Sequence, residues 1–154
     1  MQQVIVEKYI DLFDIRDPNV WFVQCISADF TCGKGIAAEF NKRFNTKQEL
    51  QKSYRSNVWN GNGYCLATSH VLNLVTKAKY YMKPSEKTMR TALEALRDII
   101  VAYGIKSIAM PKIGCGLDRM NWEVVRGFIQ EIFGDIDNLK ITVCYKWKEK
   151  RNLW

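Results

Sequence analysis

The chain has 154 residues, 47% apolar and 25% charged, which fits one globular domain and excludes a disordered or fibrous protein. No apolar run reaches the roughly 20 residues of a membrane-spanning helix, and the N-terminus lacks the basic and apolar regions of a secretory signal, so we expect an intracellular protein without a membrane partner. The net charge of +7 favours an anionic ligand or partner, such as a nucleotide or a nucleic acid.

The first third of the chain alternates strand-like and helix-like patterns. "QVIVEK" predicts a short strand, and the β-rich run "VWFVQCI" predicts a buried one. The loop "SADFTCGKG" (27–35) follows, and residues 36–44 then repeat an apolar side chain every four positions, which predicts a helix. Thr46 and Glu49 have the spacing of a capping box, so we expect a second short helix.

The same alternation continues after the turn "NGNG". "YCLATS" and "VLNLVTK" predict two strands with a tight connection at Ser69-His70. Ser85 is placed to cap a long helix that Gly104 ends, and Asn121 to cap another that Gly134 ends. "SIAMP" and "LKITVCY" predict the strands that precede and follow this last helix.

Strands thus alternate with helices over most of the chain, and one hairpin interrupts the alternation. This pattern predicts a three-layer α/β/α fold around a central mixed β-sheet, with residues 1–154 forming a single domain. Ligands of such folds bind beyond the carboxyl ends of the strands. Because the loops 27–35 and 111–119 each follow a strand and precede a helix, we expect them to line one cleft.

Both loops carry glycines that admit two interpretations. Gly33-Lys34-Gly35 lies at a helix N-terminus, which is a ready anion site or else a flexible turn. Gly114 and Gly116 lie in the same structural context, and the two loops together favour a ligand resembling a diphosphate. Cys115 between them is a candidate nucleophile, although a small filler is the preferred interpretation because no histidine is near in sequence.

Four further polar residues have open roles. Lys77 ends a strand run and is either a solvated end or, if desolvated, a nucleophile. Asp118 is either a general acid or base, or a partner of Arg119 and of the next helix N-terminus. Asp11 follows the first strand and is either an acceptor for a ligand amine or a turn residue. His70 is expected in solvent at the hairpin tip.

The cysteines do not indicate a metal site. Their number is odd, no two form a CxxC pair, and the chain has one histidine, so we expect no metal and no cofactor. Free thiols in a reducing compartment are the simplest interpretation of Cys25, Cys32, Cys65, Cys115 and Cys144.

Several of these stretches together resemble one known family. "CISADFTCGKGIAAEF", "LVTKAK", "MPKIGCGLDRMNW" and "LKITV" are similar, in order and over nearly the whole chain, to macrodomains. "IGCGLDR" followed by a tryptophan is typical of the terminal ADP-ribose protein glycohydrolase (ALC1-like) branch. The resemblance implies the macrodomain fold and, as ligand, ADP-ribose or a group that ends in it.

The resemblance also implies a role for each matching residue. Lys77 and Asp118 fall on the family's catalytic lysine and aspartate, Asp11 falls on the aspartate that contacts the adenine amine, and Ser27 lies near the distal ribose. The other positions implied to bind ADP-ribose are Leu12, Cys32, Gly33, Gly35, Ile36, Pro111, Ile113, Gly114, Cys115, Gly116 and Leu117.

The activity implied by the resemblance is removal of ADP-ribose from the acidic side chains of a protein. Lys77 would attack the anomeric carbon C1″ and Asp118 would assist proton transfer, without a cofactor. Hydrolysis of ADP-ribose 1″-phosphate and removal of ADP-ribose from nucleic acid are alternatives, and a reader module that binds ADP-ribose without chemistry is the alternative outside enzymes. We expect a monomer whose partner is ADP-ribose or an ADP-ribosylated substrate.

Two departures from the family pattern concern the adenine end. Ile10 replaces a glycine before Asp11, and Cys144 stands where a tyrosine is frequent. Tyr145, one position later, would point to the other face of a regular strand. The basic tail "KWKEKRNLW" is expected to be solvated surface rather than a nucleic-acid site.

Overall fold

The computed structural model describes residues 4–145, so the basic tail and the first residue of "QVIVEK" lie outside the described part. Within this range the elements follow in the order β1 (Ile5–Lys8), β2 (Trp21–Ser27), α1 (Gly35–Phe44), α2 (Thr46–Ser53), β3 (Tyr64–Thr68), β4 (Val71–Lys77), α3 (Glu86–Tyr103), β5 (Ser107–Met110), α4 (Trp122–Phe133) and β6 (Lys140–Cys144). Each strand and helix expected from the sequence is confirmed. A 3₁₀ helix, Leu12–Asp14, is an addition to the predicted elements.

The strands form one mixed sheet in the order β1-β6-β5-β2-β4-β3. Neighbouring strands are parallel except β3 and β4, whose antiparallel pairing confirms the predicted hairpin. The hairpin turn contains exposed His70 in a left-handed conformation, with φ of 62°. The strands β5, β2 and β4 are neighbours near the centre of the sheet and run parallel, so their carboxyl ends lie side by side.

Helices cover both faces of the sheet. Val23 of β2 packs in the larger core with α3 and α4, through residues such as Leu93 and Ile129. Its neighbour Phe22 points to the opposite face and packs against Phe40 of α1, because successive side chains of a strand alternate. The predicted three-layer α/β/α arrangement is confirmed. Within residues 4–145, no helix is both long and apolar enough to cross a membrane.

The ends of the two longer helices follow the predicted capping residues. The Ser85 side chain accepts a hydrogen bond from Thr88 N, and the Thr88 hydroxyl accepts one from Ser85 N, which completes a capping box. Gly104 ends α3 in the left-handed conformation, with φ of 64°. The Asn121 side chain accepts a hydrogen bond from Glu123 N at the start of α4.

The capping box predicted for Thr46 and Glu49 is wrong, although the helix exists. Asn45 precedes α2 as its N-cap, in a left-handed conformation and without a side-chain cap bond. The same residue is the C-cap of α1, so the two helices meet at one position and leave no extended residue for a capping box. The Thr46 hydroxyl donates to the Phe40 carbonyl (3.3 Å), and Glu49 accepts from Ser69 N (3.0 Å).

The last strand confirms the opposite orientation of two neighbouring residues. Cys144 is buried in the core cluster that contains Leu12 and Phe13. Tyr145 packs on the other face of the sheet, where its ring centre lies 4.3 Å from Lys112 Nζ. Tyr145 therefore cannot replace a tyrosine at position 144 on the face that carries Leu12.

Candidate active site

A cleft of about 630 Å³ opens at the carboxyl ends of the central strands. It is lined by the loops 27–35 and 111–119, as the sequence predicts, and also by residues of the segment 78–84 that follows β4. The two predicted loops approach each other closely, because a Cβ added to Gly35 would lie 3.5 Å from Leu117 Cδ1.

An ion pair between Lys77 and Asp118 lies in this cleft. Lys77 Nζ is 2.7 Å from Asp118 Oδ1, and the two side chains are only 14% and 12% exposed. Lys77 is the last residue of β4, where an irregularity in the pairing with β2 brings it opposite Ser27. The Lys77 carbonyl accepts from Ala28 N (2.9 Å), so the backbone that carries the amine is fixed to the first loop.

The second loop turns sharply to bring Asp118 to Lys77. Gly114 has φ of 75°, and a Cβ there would lie 2.7 Å from Met89 Cε. Gly114 O accepts from Met120 N (2.8 Å), which closes the loop. Asn121 caps α4, and Asp118 pairs with Lys77.

The first loop is held in an unusual backbone conformation. Phe30 and Cys32 are buried non-glycine residues with φ of 58° and 45°. The Asn41 side chain of α1 donates to the Cys32 carbonyl (2.7 Å), which ties the loop to the helix that follows. Gly35, with φ of 60°, begins α1, whose first turn lines the cleft with backbone N–H groups unpaired within the helix.

Asp29 connects the first loop to the segment after Lys77. Its carboxylate accepts from the Ser27 hydroxyl (2.5 Å), from Thr31 N (3.1 Å) and from Tyr80 N (3.0 Å). Burial acts to raise the pKa of Asp29, but these hydrogen bonds outweigh it and hold the pKa below its usual value. The ionised carboxylate thus fixes the position of Ser27 and of Tyr80 at the same time.

The thiols near the cleft are not arranged as nucleophiles. Burial raises the pKa of Cys115 to about 11, and its Sγ donates to the Ile113 carbonyl (3.3 Å). Burial also raises the pKa of Cys32 to about 11, and burial together with the Asp118 charge raises the pKa of Cys25. These groups stay protonated near neutral pH, which favours the filler interpretation of Cys115.

Most of the predicted site residues line the cleft. They are Ser27, Cys32, Gly33, Gly35, Ile36, Lys77, Pro111, Ile113, Gly114, Gly116, Leu117 and Asp118. Cys115, Asp11 and Leu12 do not line it. Asp11 caps the 3₁₀ helix and accepts from Phe13 N (2.9 Å), and the Leu12 side chain is fully buried in the core.

The cleft is also lined by residues that are not among the predicted site residues, notably Tyr80, Tyr81 and Lys83. They follow the strand end at Lys77 within six positions, in "KAKYYMK". The signal that could have identified them is a pair of adjacent aromatic residues among lysines, directly after a strand that carries a candidate nucleophile. Within residues 4–145, no group of three or more His, Cys, Asp or Glu is arranged to hold a metal ion.

Comparison with known proteins matches residues 23–129 to the family model described as Macro domain. The ADP-ribose glycohydrolase OARD1 of Bos taurus is 38% identical over 125 residues, which cover 79% of this chain and 78% of that protein. The DNA ADP-ribosyl glycohydrolase of Thermus aquaticus is 25% identical over 140 residues, which cover 84% of this chain and 38% of that protein.

Among solved structures, the macrodomain of Mycobacterium tuberculosis DarG has the same fold. Its TM-score with this chain is 0.75 at 20% sequence identity, and the match covers 92% of this chain and 97% of that one. The similarity at this identity concerns the fold alone.

Proposed function

This chain belongs to the macrodomain family, and on that premise we propose that it is an ADP-ribosyl hydrolase that cleaves the bond between C1″ of ADP-ribose and an acidic group, such as the carboxylate of a protein glutamate or aspartate. One observation carries the proposal: the largely buried pair of Lys77 and Asp118, 2.7 Å apart in the cleft. The relative named ADP-ribose glycohydrolase supports it. Within the family, "IGCGLDRMNW" supports the terminal ADP-ribose protein glycohydrolase (ALC1-like) branch.

The ligand would lie across the carboxyl ends of the central strands. The diphosphate would be held between the loops 27–35 and 111–119, where the first turn of α1 offers backbone N–H groups and a favourable helix dipole. The distal ribose would then lie beside Ser27 and the ion pair. The family resemblance implies that the adenine lies near Asp11 and Leu12, but neither residue lines the cleft. Because residues of one chain line the cleft, we expect the site to act in a monomer.

The reaction requires the Lys77 amine to lose a proton before it attacks. Asp118 accepts a hydrogen bond from Nζ and is the group placed to receive that proton. The neutral amine forms a bond to C1″ while the C1″–O bond breaks, and the electron pair leaves with the carboxylate. Asp118 passes this proton to the departing carboxylate and becomes a base again. Water then attacks C1″ of the lysyl adduct, Asp118 takes a proton from the water, and the C1″–N bond breaks with its electron pair on nitrogen, which releases ADP-ribose and restores the amine.

The test compares wild type with Lys77→Ala, Asp118→Ala and, as a charge-matched control at the other end of β5, Lys106→Ala. With a glutamate-linked mono-ADP-ribosylated protein as substrate, we expect ADP-ribose release to fall by about 100-fold or more in both site variants. Mass spectrometry follows the release, and calorimetry of free ADP-ribose checks that binding persists. Tight binding by wild type without release would contradict the hydrolase and indicate a reader module.

A nucleic-acid-linked substrate is the second candidate. The cations Lys34, Lys83, Lys112 and Arg119 line the cleft, and they favour a polyanion around the ADP-ribose. A relative named DNA ADP-ribosyl glycohydrolase supports the same direction. ADP-ribose 1″-phosphate would use the same bond cleavage at C1″ and belongs in the same assay as a third substrate.

A further inference from the structure

Two adjacent tyrosines, Tyr80 and Tyr81, line the cleft close to Lys77 in the chain, and the hydrolase mechanism gives them no role. They are 59% and 65% exposed, and their rings meet edge to face with centroids 5.3 Å apart. Exposed aromatic rings that flank a cleft are typical of a surface that binds a ligand or a partner molecule. These two residues form a tyrosine pair.

The segment that carries the tyrosine pair is held in place from three sides. Met82 N donates to the Lys79 carbonyl (3.0 Å), which puts the tyrosine pair at the centre of a tight turn. Tyr80 N donates to Asp29, and Lys83 Nζ donates to the Leu117 carbonyl (2.6 Å). The turn is therefore fixed to both loops of the cleft, and the rings need little ordering when a partner binds.

Cations outnumber carboxylates among the residues that line the cleft beside the tyrosine pair, and the nearby Asp29 carboxylate is taken up by hydrogen bonds, one of them from Tyr80 N. Lys34, Lys83, Lys112 and Arg119 line the cleft, whereas Asp118 is the one carboxylate among the described lining residues. Since Asp118 is paired with Lys77, the side-chain charges at the rim attract anions. Aromatic faces interleaved with cations are the combination with which proteins bind single-stranded nucleic acids.

On the basis of the proposed hydrolase activity, we infer that the tyrosine pair forms the subsite for the leaving group. Its occupant is a base of a single-stranded nucleic acid whose terminal phosphate carries the ADP-ribose. A phosphate is an acidic group, so the C1″–O bond breaks as before and its electron pair stays on the phosphate oxygen. A modified peptide would meet the same cations, but it supplies a planar ring only where an aromatic residue neighbours the modified one, whereas every nucleotide carries a base that can stack on the tyrosine pair.

The experiment measures binding in the Lys77→Ala background, which separates recognition from turnover. The probes are free ADP-ribose and a single-stranded oligonucleotide with ADP-ribose on its 5′-phosphate. We expect the oligonucleotide to bind about tenfold or more tightly than free ADP-ribose. That affinity ratio should fall by about fivefold or more when Tyr80→Ala and Tyr81→Ala are combined, the cations accounting for what remains, and should survive the combination of Tyr80→Phe and Tyr81→Phe. Tyr103→Ala, which removes an exposed tyrosine at the end of α3, is the matched control.

The inference would be overturned if the wild-type tyrosines gave the oligonucleotide no higher affinity than free ADP-ribose, or if the alanine variants left its advantage intact. It would also be overturned if an ADP-ribosylated glutamyl peptide, and not the oligonucleotide, gained affinity from the tyrosines. Thermal melting checks that the variants fold. Release of ADP-ribose by the wild-type protein is measured in a separate assay with both conjugates. A tyrosine-dependent affinity ratio without release of ADP-ribose from either conjugate would contradict the hydrolase and leave the subsite as that of a binding module.

Discussion

At the scale of one residue, the conformation of the second loop depends on Gly114, which has no side chain. Its φ of 75° lies in the left-handed region, and the nearest atoms to an added Cβ would be Met89 Cε at 2.7 Å and Met120 Sδ at 3.1 Å. Met89 is fully buried, so its methyl group cannot move into solvent. The path of the chain to Asp118 is therefore tied to glycine at this position.

We expect Gly114→Ala to lower the free energy of unfolding by about 1–2 kcal/mol, the cost of a left-handed non-glycine residue. Displacement of the loop should also weaken ADP-ribose binding by about tenfold, equal to about 1.4 kcal/mol. Urea unfolding and calorimetry measure the two effects. Gly127→Ala is the matched control, because its added methyl group meets nothing within 4 Å on α4 and should stabilise the helix by about 1 kcal/mol. Equal changes in the free energy of unfolding for the two variants would show that the second loop does not require glycine at position 114.

At the scale of the elements, Gly63 allows α3 to pack directly on the start of β3. A Cβ on Gly63 would lie 2.1 Å from the Thr88 carbonyl oxygen and 2.9 Å from Ala92 N. Gly63 N also donates to the Thr91 hydroxyl (2.7 Å). The obstacle is backbone on the first turns of a helix, and no rotamer change relieves it.

Gly63→Ala should consequently separate α3 from β3 and lower the free energy of unfolding by at least about 2 kcal/mol, as overpacking of a tight contact does. Denaturant unfolding followed by circular dichroism measures this, with Gly127→Ala again as the control. An unchanged midpoint of unfolding would mean that α3 shifts without cost, which would contradict the close packing described for this contact.

The ends of the helices can be predicted from the sequence only where they depend on neighbouring residues. Local signals predict the helix ends at Ser85, Gly104 and Asn121, because capping depends on neighbours within a few residues. The capping box at Thr46 fails because Asn45 serves two helices, and only the packing of α1 against α2 decides that. The left-handed conformations of Phe30 and Cys32 have no local signal, since they depend on burial and on a bond from Asn41.

At the scale of the whole molecule, the order of the strands assembles the candidate site. Ser27 and Lys77 end β2 and β4, and Asp118 lies in the loop after β5. These residues are distant in sequence, but their strands are adjacent in the sheet. Alternating strands and helices predict the layers but not this order, which depends on packing between distant segments. The pairing of Lys77 with Asp118 was therefore implied by family resemblance alone until the fold brought the two side chains together.

Carboxylates with lowered pKa values make the stability of the whole fold sensitive to acid. Hydrogen bonds from Tyr145, Arg126 and Trp122 lower the pKa of Glu7 on β1, although burial opposes them. The hydrogen bonds to Asp29 have the same effect between the two loops. Both groups bind fewer protons in the folded than in the unfolded chain, so their stabilisation is complete above their unfolded pKa values and is lost as the pH falls through the folded ones.

We therefore expect the free energy of unfolding to stay level from neutrality to about pH 5 and to decrease steadily towards about pH 3. The net charge of +7 grows in the same range and adds repulsion, so part of the decrease is general. Asp29→Asn separates the two causes: it should lower stability at neutral pH and flatten the decrease in acid. Urea unfolding at successive pH values measures both. A wild-type stability that stays level down to pH 3, or an Asp29→Asn variant with the wild-type slope, would show that the bonds from Ser27, Thr31 and Tyr80 do not couple Asp29 to folding.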